Sequence, residues 1–259
     1  MIDQKIDQKR ETVWLYGVVP AGAKLEELKR RRDRLPSDIR TIEIDDLAVI
    51  VGDPPPENDA KALRDQALAH ARVLEAAVVD TPVVPFRFGM VVEDSGIGSE
   101  VLAARHDELA QTLEQVKDDF QFTVKAEYLE DVVLGEIIES QPTIAQLREQ
   151  TRGLDEDATR DARVRLGELV SLALEEVRQR DASAIIERLK PVAVSFTIEP
   201  LESEFMVVNA PFLVERRRGE EFEDAVASVA DEHAHHMHFT LLGPMPAYNF
   251  VGTGGPAWD

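Results

Sequence analysis

Thr81-Pro82-Val83-Val84-Pro85-Phe86-Arg87-Phe88-Gly89-Met90-Val91-Val92 is apolar, β-branched or aromatic at nearly every position. Glu93-Asp94-Ser95-Gly96 closes it. Such a run reads as a buried strand. Proline donates no ladder hydrogen bond, so Pro82 and Pro85 belong near the strand start or on an edge. Period-two alternation puts Val84, Phe86, Phe88 and Met90 on one face and Arg87 on the other. A lone charge inside such a run is tolerated only when paired. Arg87 is therefore expected to be buried and bonded to a carboxylate.

Working outward toward the N-terminus, a helix should precede this strand. Asn58 or Asp59 would cap it, and Leu63, Ala67, Ala71, Leu74 and Val78 step by three and four. Before the helix, Ile42 and Ile44 alternate with Thr41 and Glu43, Asp45-Asp46 turns, and Leu47 to Val51 returns as a hairpin. Lys24 to Arg34 reads as a short surface helix. Val13 to Val19 is apolar on both faces and suits a central strand. The repeated Ile-Asp-Gln-Lys unit at 2–5 and 6–9 reads as a frayed tail.

Downstream, Gly98-Ser99-Glu100 opens a second helix, with Ser99 as cap and Leu102, Leu109, Leu113, Val116 and Phe120 as its stripe. Phe120 to Tyr128 alternates as a half-buried strand. The first half thus runs strand, short helix, hairpin, helix, strand, helix, strand, with helices on one face of the sheet. From 131 to Lys190 the chain is helical, with Ala162, Leu166, Leu169, Ala173 and Val177 in one stripe. Val192 to Ile198 and Phe205 to Val214 are strands. Glu220 to Glu232 is a helix with Phe222, Val226 and Val229 inward, and His236 to Leu242 is a last strand. The expected fold class is α+β in two domains. After a tail over 1–11 comes a ferredoxin-like α/β sandwich over 12–130, then a helical region with a small three-stranded antiparallel sheet over 131–259. The end from Gly252 to Asp259 is expected to be flexible, with Trp258 docking.

Composition limits function. The 259 residues carry 50 acidic and 29 basic side chains, a formal net charge of −21. Phosphate recognition needs cationic patches, so a nucleic-acid partner is not expected. An anionic membrane surface is disfavoured for the same reason. Lys29-Arg30-Arg31-Arg32 is flanked by acids and lacks interleaved aromatics. There is no cysteine, which removes thiolate chemistry and zinc ribbons. No signal-like apolar region opens the chain and no run nears the roughly 20 residues of a membrane span, so a cytoplasmic protein is expected.

Catalytic frames are missing. Gly96-Ile97-Gly98 lacks the rest of a phosphate loop, and no nucleophile elbow occurs. His233, His235, His236 and His238 are the one concentrated metal-type cluster. His233 and His236 would lie a helical turn apart, and His236 and His238 would share a strand face. A helix-to-strand change within the cluster should separate the side chains, so no metal and no cofactor is expected. A metal- or small-molecule-binding protein built on this cluster is the alternative function.

Three segments carry a family resemblance. Val84-Pro85-Phe86-Arg87-Phe88-Gly89 resembles the P-[LF]-R-F-G signature of the gas-vesicle accessory proteins of the GvpL/GvpF family. Val207-Val208-Asn209-Ala210-Pro211-Phe212-Leu213-Val214 is similar to its LNxAFLV strand. Leu241 to Val251 resembles its closing GPWPPYxFV, with Met245 for the tryptophan and Ala247 for the second proline. The resemblance implies a non-enzymatic, gas-vesicle-associated protein that takes part in vesicle assembly. Its partners would be the small hydrophobic shell protein of the GvpA type and other gas-vesicle accessory proteins. The motif residues, structural or partner-contacting, are Pro85, Phe86, Arg87, Phe88, Gly89, Asn209, Phe212, Gly243, Pro244, Pro246, Tyr248 and Phe250.

Overall fold

The computed structural model describes residues 12–54, 60–93, 96–97, 103, 105–155 and 158–251. The N-terminal tail, the caps at Asn58, Asp59 and Ser99, Leu102 and the end from Gly252 lie outside these. The chain divides into two compact units, 1–121 with 243–259, and 122–242. The division falls inside a strand at 121/122 where the sequence pointed to 130, because Phe120 to Tyr128 joins the second sheet.

In the first unit the elements are β1 (Thr12–Pro20), α1 (Glu26–Arg30), β2 (Arg40–Ile44), β3 (Leu47–Gly52), α2 (Ala60–Asp80), β4 (Val84–Pro85), β5 (Val91–Glu93) and α3 (His106–Gln115). A single 3-10 turn, Arg32–Arg34, follows α1. The sheet order is β2-β3-β1-β4, with β5 also on β1. Read with its helices, β1-α1-β2-β3-α2-β4 in this order is the ferredoxin-like arrangement. β1 is an inner strand, with β3 on one side and β4 and β5 on the other, and is buried along nearly its whole length.

The register explains how β1 serves two faces. Its pairing with β3 shifts between Leu15 and Gly17, so Val13, Leu15 and Val18 all point into one cluster with Val49, Val84, Phe86, Leu109 and Leu113. An extra residue in one strand resets the alternation in this way. Trp14 and Tyr16, on the other face, meet His70 of α2. Helices thus cover both faces, α2 one and α3 the other, where the sequence suggested one face. At Gly17 only glycine fits: a Cβ would lie 2.9 Å from the Val84 carbonyl oxygen and 3.0 Å from Leu74 Cδ2.

The single strand predicted over Thr81 to Val92 is two short strands. β4 and β5 pair in succession along the same side of β1, Val84 with Val18 and Val91 with Trp14. Between them the chain leaves the ladder. Leu63, placed in the core stripe of α2, is exposed. His70, Val73, Leu74, Ala77 and Val78 carry the buried face.

The second unit holds most of β6 (Asp119–Tyr128), then α4 (Glu130–Ser140), α5 (Pro142–Thr151), α6 (Arg160–Leu189), β7 (Ser195–Phe196), β8 (Met206–Glu215), α7 (Gly219–His233) and most of β9 (Met237–Met245). The sheet has four strands in the order β7-β8-β6-β9, one more than expected, because β6 belongs here. β6 is inner and buried except near its end, so its expected wet face is covered. With α4–α6 as one long insertion, β6, β7, β8, α7 and β9 repeat the strand order of the first unit. The sequence gives no hint of this, since the two cores share no side-chain pattern. The core is aromatic: Phe222 of α7 lies 5.2 Å from both Phe122 and Phe212, and Phe196 lies 5.7 Å from Phe212.

Candidate functional site

The motif Pro85 to Gly89 forms the excursion between β4 and β5. The Phe86 amide donates to the Tyr16 carbonyl at 2.9 Å, and the Leu15 amide donates to the Met90 carbonyl at 3.0 Å. Both ends of the loop are thereby tied to β1. Met90 N–H reaches back to the Arg87 carbonyl at 3.3 Å, and Gly89 takes φ +91, a conformation that excludes most side chains. Phe86 goes into the core. Arg87 stands exposed at the tip, which corrects its expected burial. The chain turns where a straight strand would have pointed this side chain inward.

Phe88 folds back as an edge against Trp14 at 5.2 Å and His70 at 5.8 Å. The protonation of His70 follows from its partners. The Trp14 indole can only donate, and it gives its hydrogen to His70 Nδ1 at 3.0 Å. His70 Nε2 must then carry the ring hydrogen, which faces the Phe86 carbonyl at 3.3 Å. Burial pushes the His70 pKa down, partly offset by that carbonyl. Tyr16 stacks on the ring at 5.1 Å, and burial, with Asp38 nearby, pushes its hydroxyl up to about 12. Trp14, Tyr16 and His70 are residues that sequence reasoning did not assign to the site. A histidine within the apolar stripe of α2 was the available signal.

A pH dependence follows. A histidine whose folded pKa is lowered binds fewer protons folded than unfolded, so its contribution is present above the unfolded value, about 6.5. It is lost as pH falls through the folded value. The thermal midpoint of the first unit is expected to drop as pH falls below about 6.5. In His70→Gln that part of the drop should shrink. Equal slopes in the two proteins would contradict the assignment.

The closing motif belongs to the same unit. Gly243 has φ +125 and precedes a cis proline, Pro244. Pro246 and Ala247 are buried, while Tyr248 remains 41% exposed. Phe250 is half-buried, and its amide donates to the Ala247 carbonyl at 2.9 Å. Asn249, absent from the sequence-based set, holds the segment down. Its amide donates to Gln121 Oε1 at 3.0 Å, and Gln121 Nε2 donates to Asn249 Oδ1 at 2.9 Å. A glutamine between Phe120 and Phe122 in a buried strand requires such a partner.

Asn209 and Phe212 lie in the second unit. Asn209 is buried; its Nδ2 donates to the Pro200 carbonyl at 2.9 Å, and its own carbonyl accepts from Glu199 at 2.8 Å. Phe212 is wholly buried. These two residues shape the β7–β8 hairpin and the core. Of the motif residues, Arg87, Gly89, Gly243 and Tyr248 present exposed surface.

The histidine cluster is arranged differently from its sequence reading. His233 ends α7, His235 and His236 form the turn, and His238 alone lies in β9, exposed. His235 and His236 face each other, with Nε2 to Nδ1 at 2.6 Å. Glu136 of α4 stands 3.8 Å from His235 Nε2, and Asp181 of α6 stands 3.9 Å from His236 Nε2. Asp181 is buried, bonded by the Tyr128 hydroxyl and by Arg180 Nε, both at 2.8 Å. Burial and this carboxylate both push the Tyr128 hydroxyl pKa upward. Glu136 and Asp181 sit on helices distant in sequence, so no local pattern could have joined them to the histidines.

Residues 12–252 match the family model described as gas vesicle synthesis protein GvpL/GvpF. The chain is 31% identical over 216 residues to gas vesicle protein F of a Streptomyces strain, covering 83% of this chain and 89% of the relative. It is 24% identical over 246 residues to gas vesicle protein F of Dolichospermum flosaquae, covering 92% and 97%. Two crystal structures share the fold. One is GvpF from an Anabaena strain, with TM-score 0.73 and 19% identity over 95% of this chain and all of that one. The other is GvpF from Microcystis aeruginosa, with TM-score 0.68 and 17% identity over 93% and 99%. Among the described residues, no helix is long and apolar enough to cross a membrane.

Proposed function

This chain belongs to the GvpL/GvpF family of gas vesicle synthesis proteins, and on that premise we propose that it assists vesicle assembly by holding the small hydrophobic shell protein. It does so in the cytoplasm, with no chemical step of its own. The observation that carries this reading is the edge of the second sheet. β9 ends the order β7-β8-β6-β9 and pairs on one side with β6. Its stretch Met237–Leu242 lies within the second unit, and Leu242 is 42% exposed. An edge of this length accepts an extended segment by strand addition, and an apolar side chain beside it gives the incoming strand an anchor. The net charge of −21 would keep loaded complexes apart.

Co-expression with a GvpA-type shell protein tests the reading. Soluble shell protein should rise and co-purify with this chain. Leu242→Lys should reduce co-purification by about tenfold or more, the scale of losing a central apolar anchor, with circular dichroism unchanged. Equal soluble shell protein with and without this chain would refute the proposal.

A further inference from the structure

We propose that Glu136, His235 and His236 form a binding site for a divalent transition-metal ion, with zinc the best match to its donors. One carboxylate oxygen and one nitrogen from each imidazole lie within 4.8 Å of one another. A tetrahedral zinc with bonds of roughly 2.0–2.1 Å needs its ligand atoms about 3.3 Å apart. The separations, 2.6 Å between the imidazoles and 3.8 Å from His235 to Glu136, bracket that value. Small side-chain rotations close the difference.

The backbone presents the histidines. Between α7 and β9, the His236 amide donates to the His233 carbonyl at 3.0 Å and closes the turn. The His236 carbonyl accepts from Leu129 at 2.8 Å, which fixes the turn against the start of α4. Glu136 projects from that same helix. The two elements that supply the ligands are thus held together before any ion arrives.

The surroundings of His236 complete the argument. Asp181 lies behind its other nitrogen, and Tyr128 and Arg180 hold Asp181 in place. At 3.9 Å this carboxylate is beyond hydrogen-bond distance of the ring; closing to that distance would fix the ring and raise its basicity. Imidazole donors favour zinc, copper or nickel over magnesium or calcium. Three protein ligands leave a fourth position for water or for a donor from a partner chain. His233 is not a ligand: its ring packs at 5.4 Å on His236 and at 6.2 Å on Phe239. His238 is exposed on β9 outside the group.

The test uses the full chain, stripped with chelator and titrated with zinc chloride by calorimetry, alongside thermal unfolding. One equivalent should bind and raise the unfolding midpoint. His235→Ala and Glu136→Gln alter exposed side chains, so both should fold and both should weaken zinc by at least about tenfold. His238→Ala should bind as the parent does. No saturable zinc binding would overturn the proposal. So would full binding in both His235→Ala and Glu136→Gln, or an equal loss in His238→Ala.

Discussion

Phe212→Ala should destabilise the second unit by about 3–5 kcal/mol, the cost of truncating a buried phenylalanine and leaving its cavity. The side chain is wholly buried and packs on Phe222 and Phe196, which come from a helix and from the neighbouring strand. Removing it takes a ring neighbour from Phe222, and aromatic pairs add about 0.5–1.5 kcal/mol beyond burial. A domain commonly has about 5–15 kcal/mol in total, so this is a large share. Urea unfolding followed by fluorescence and circular dichroism should show the second unit melting early. Phe212→Leu should recover much of the loss. A shift below about 1 kcal/mol for the alanine variant would mean that the phenylalanine cluster is not the core. Shell-protein retention should fall with it, because the edge of β9 depends on the sheet that Phe212 supports.

The second large effect is expected at Trp14→Ala, again about 3–5 kcal/mol, now in the first unit. Two losses combine. The indole packs on both Phe88 and His70, and it is the hydrogen donor to His70 Nδ1. Without it a buried acceptor is orphaned, which costs about 1–3 kcal/mol of that total. Trp14→Phe separates the parts: it keeps an aromatic body and loses the hydrogen bond, so its loss should be nearer 1–3 kcal/mol. Its pH dependence should also change, because His70 Nδ1 is then free to take a proton. The exposed Arg87-Gly89 tip should loosen in both variants, read as faster amide exchange at Phe88 and Gly89. Unchanged exchange there would show that the loop is held by its backbone bonds to β1 alone.

The family signatures were legible because they are local. Each is a short run of neighbouring residues: Pro85 to Gly89 lies in an apolar stretch, the residues around Asn209 and Phe212 read as a strand, and Gly243 to Phe250 opens on a glycine and prolines that fix the chain's exit. Their roles were not legible. Arg87 looked buried because a run of apolar residues was taken as one straight strand, and the fold of the loop depends on bonds to Tyr16 and Leu15 far upstream. Asn249 drew no notice, although Gln121 in a buried strand signals a missing partner. The histidines were visible, yet Glu136 and Asp181, which give them chemical meaning, lie on separate helices.

By itself the sequence determined the two-part α+β class, the hairpin of β2 and β3, the inward face of α7, and an acidic chain without thiols; of the stripe it offered for α6 only Ala173 is buried, beside Leu174, Asp181, Ile185 and Leu189. Each of these rests on a period, a composition or a turn residue, which are properties of neighbours along the chain. Only the tertiary structure decided which sheet β6 enters, that β1 is packed on both faces, that both units repeat one strand order, and that a glutamate from α4 meets two histidines after α7. Those outcomes depend on which distant segments close against one another. Side-chain volume and hydrogen-bond partners select them in three dimensions, and no spacing along the chain records that selection.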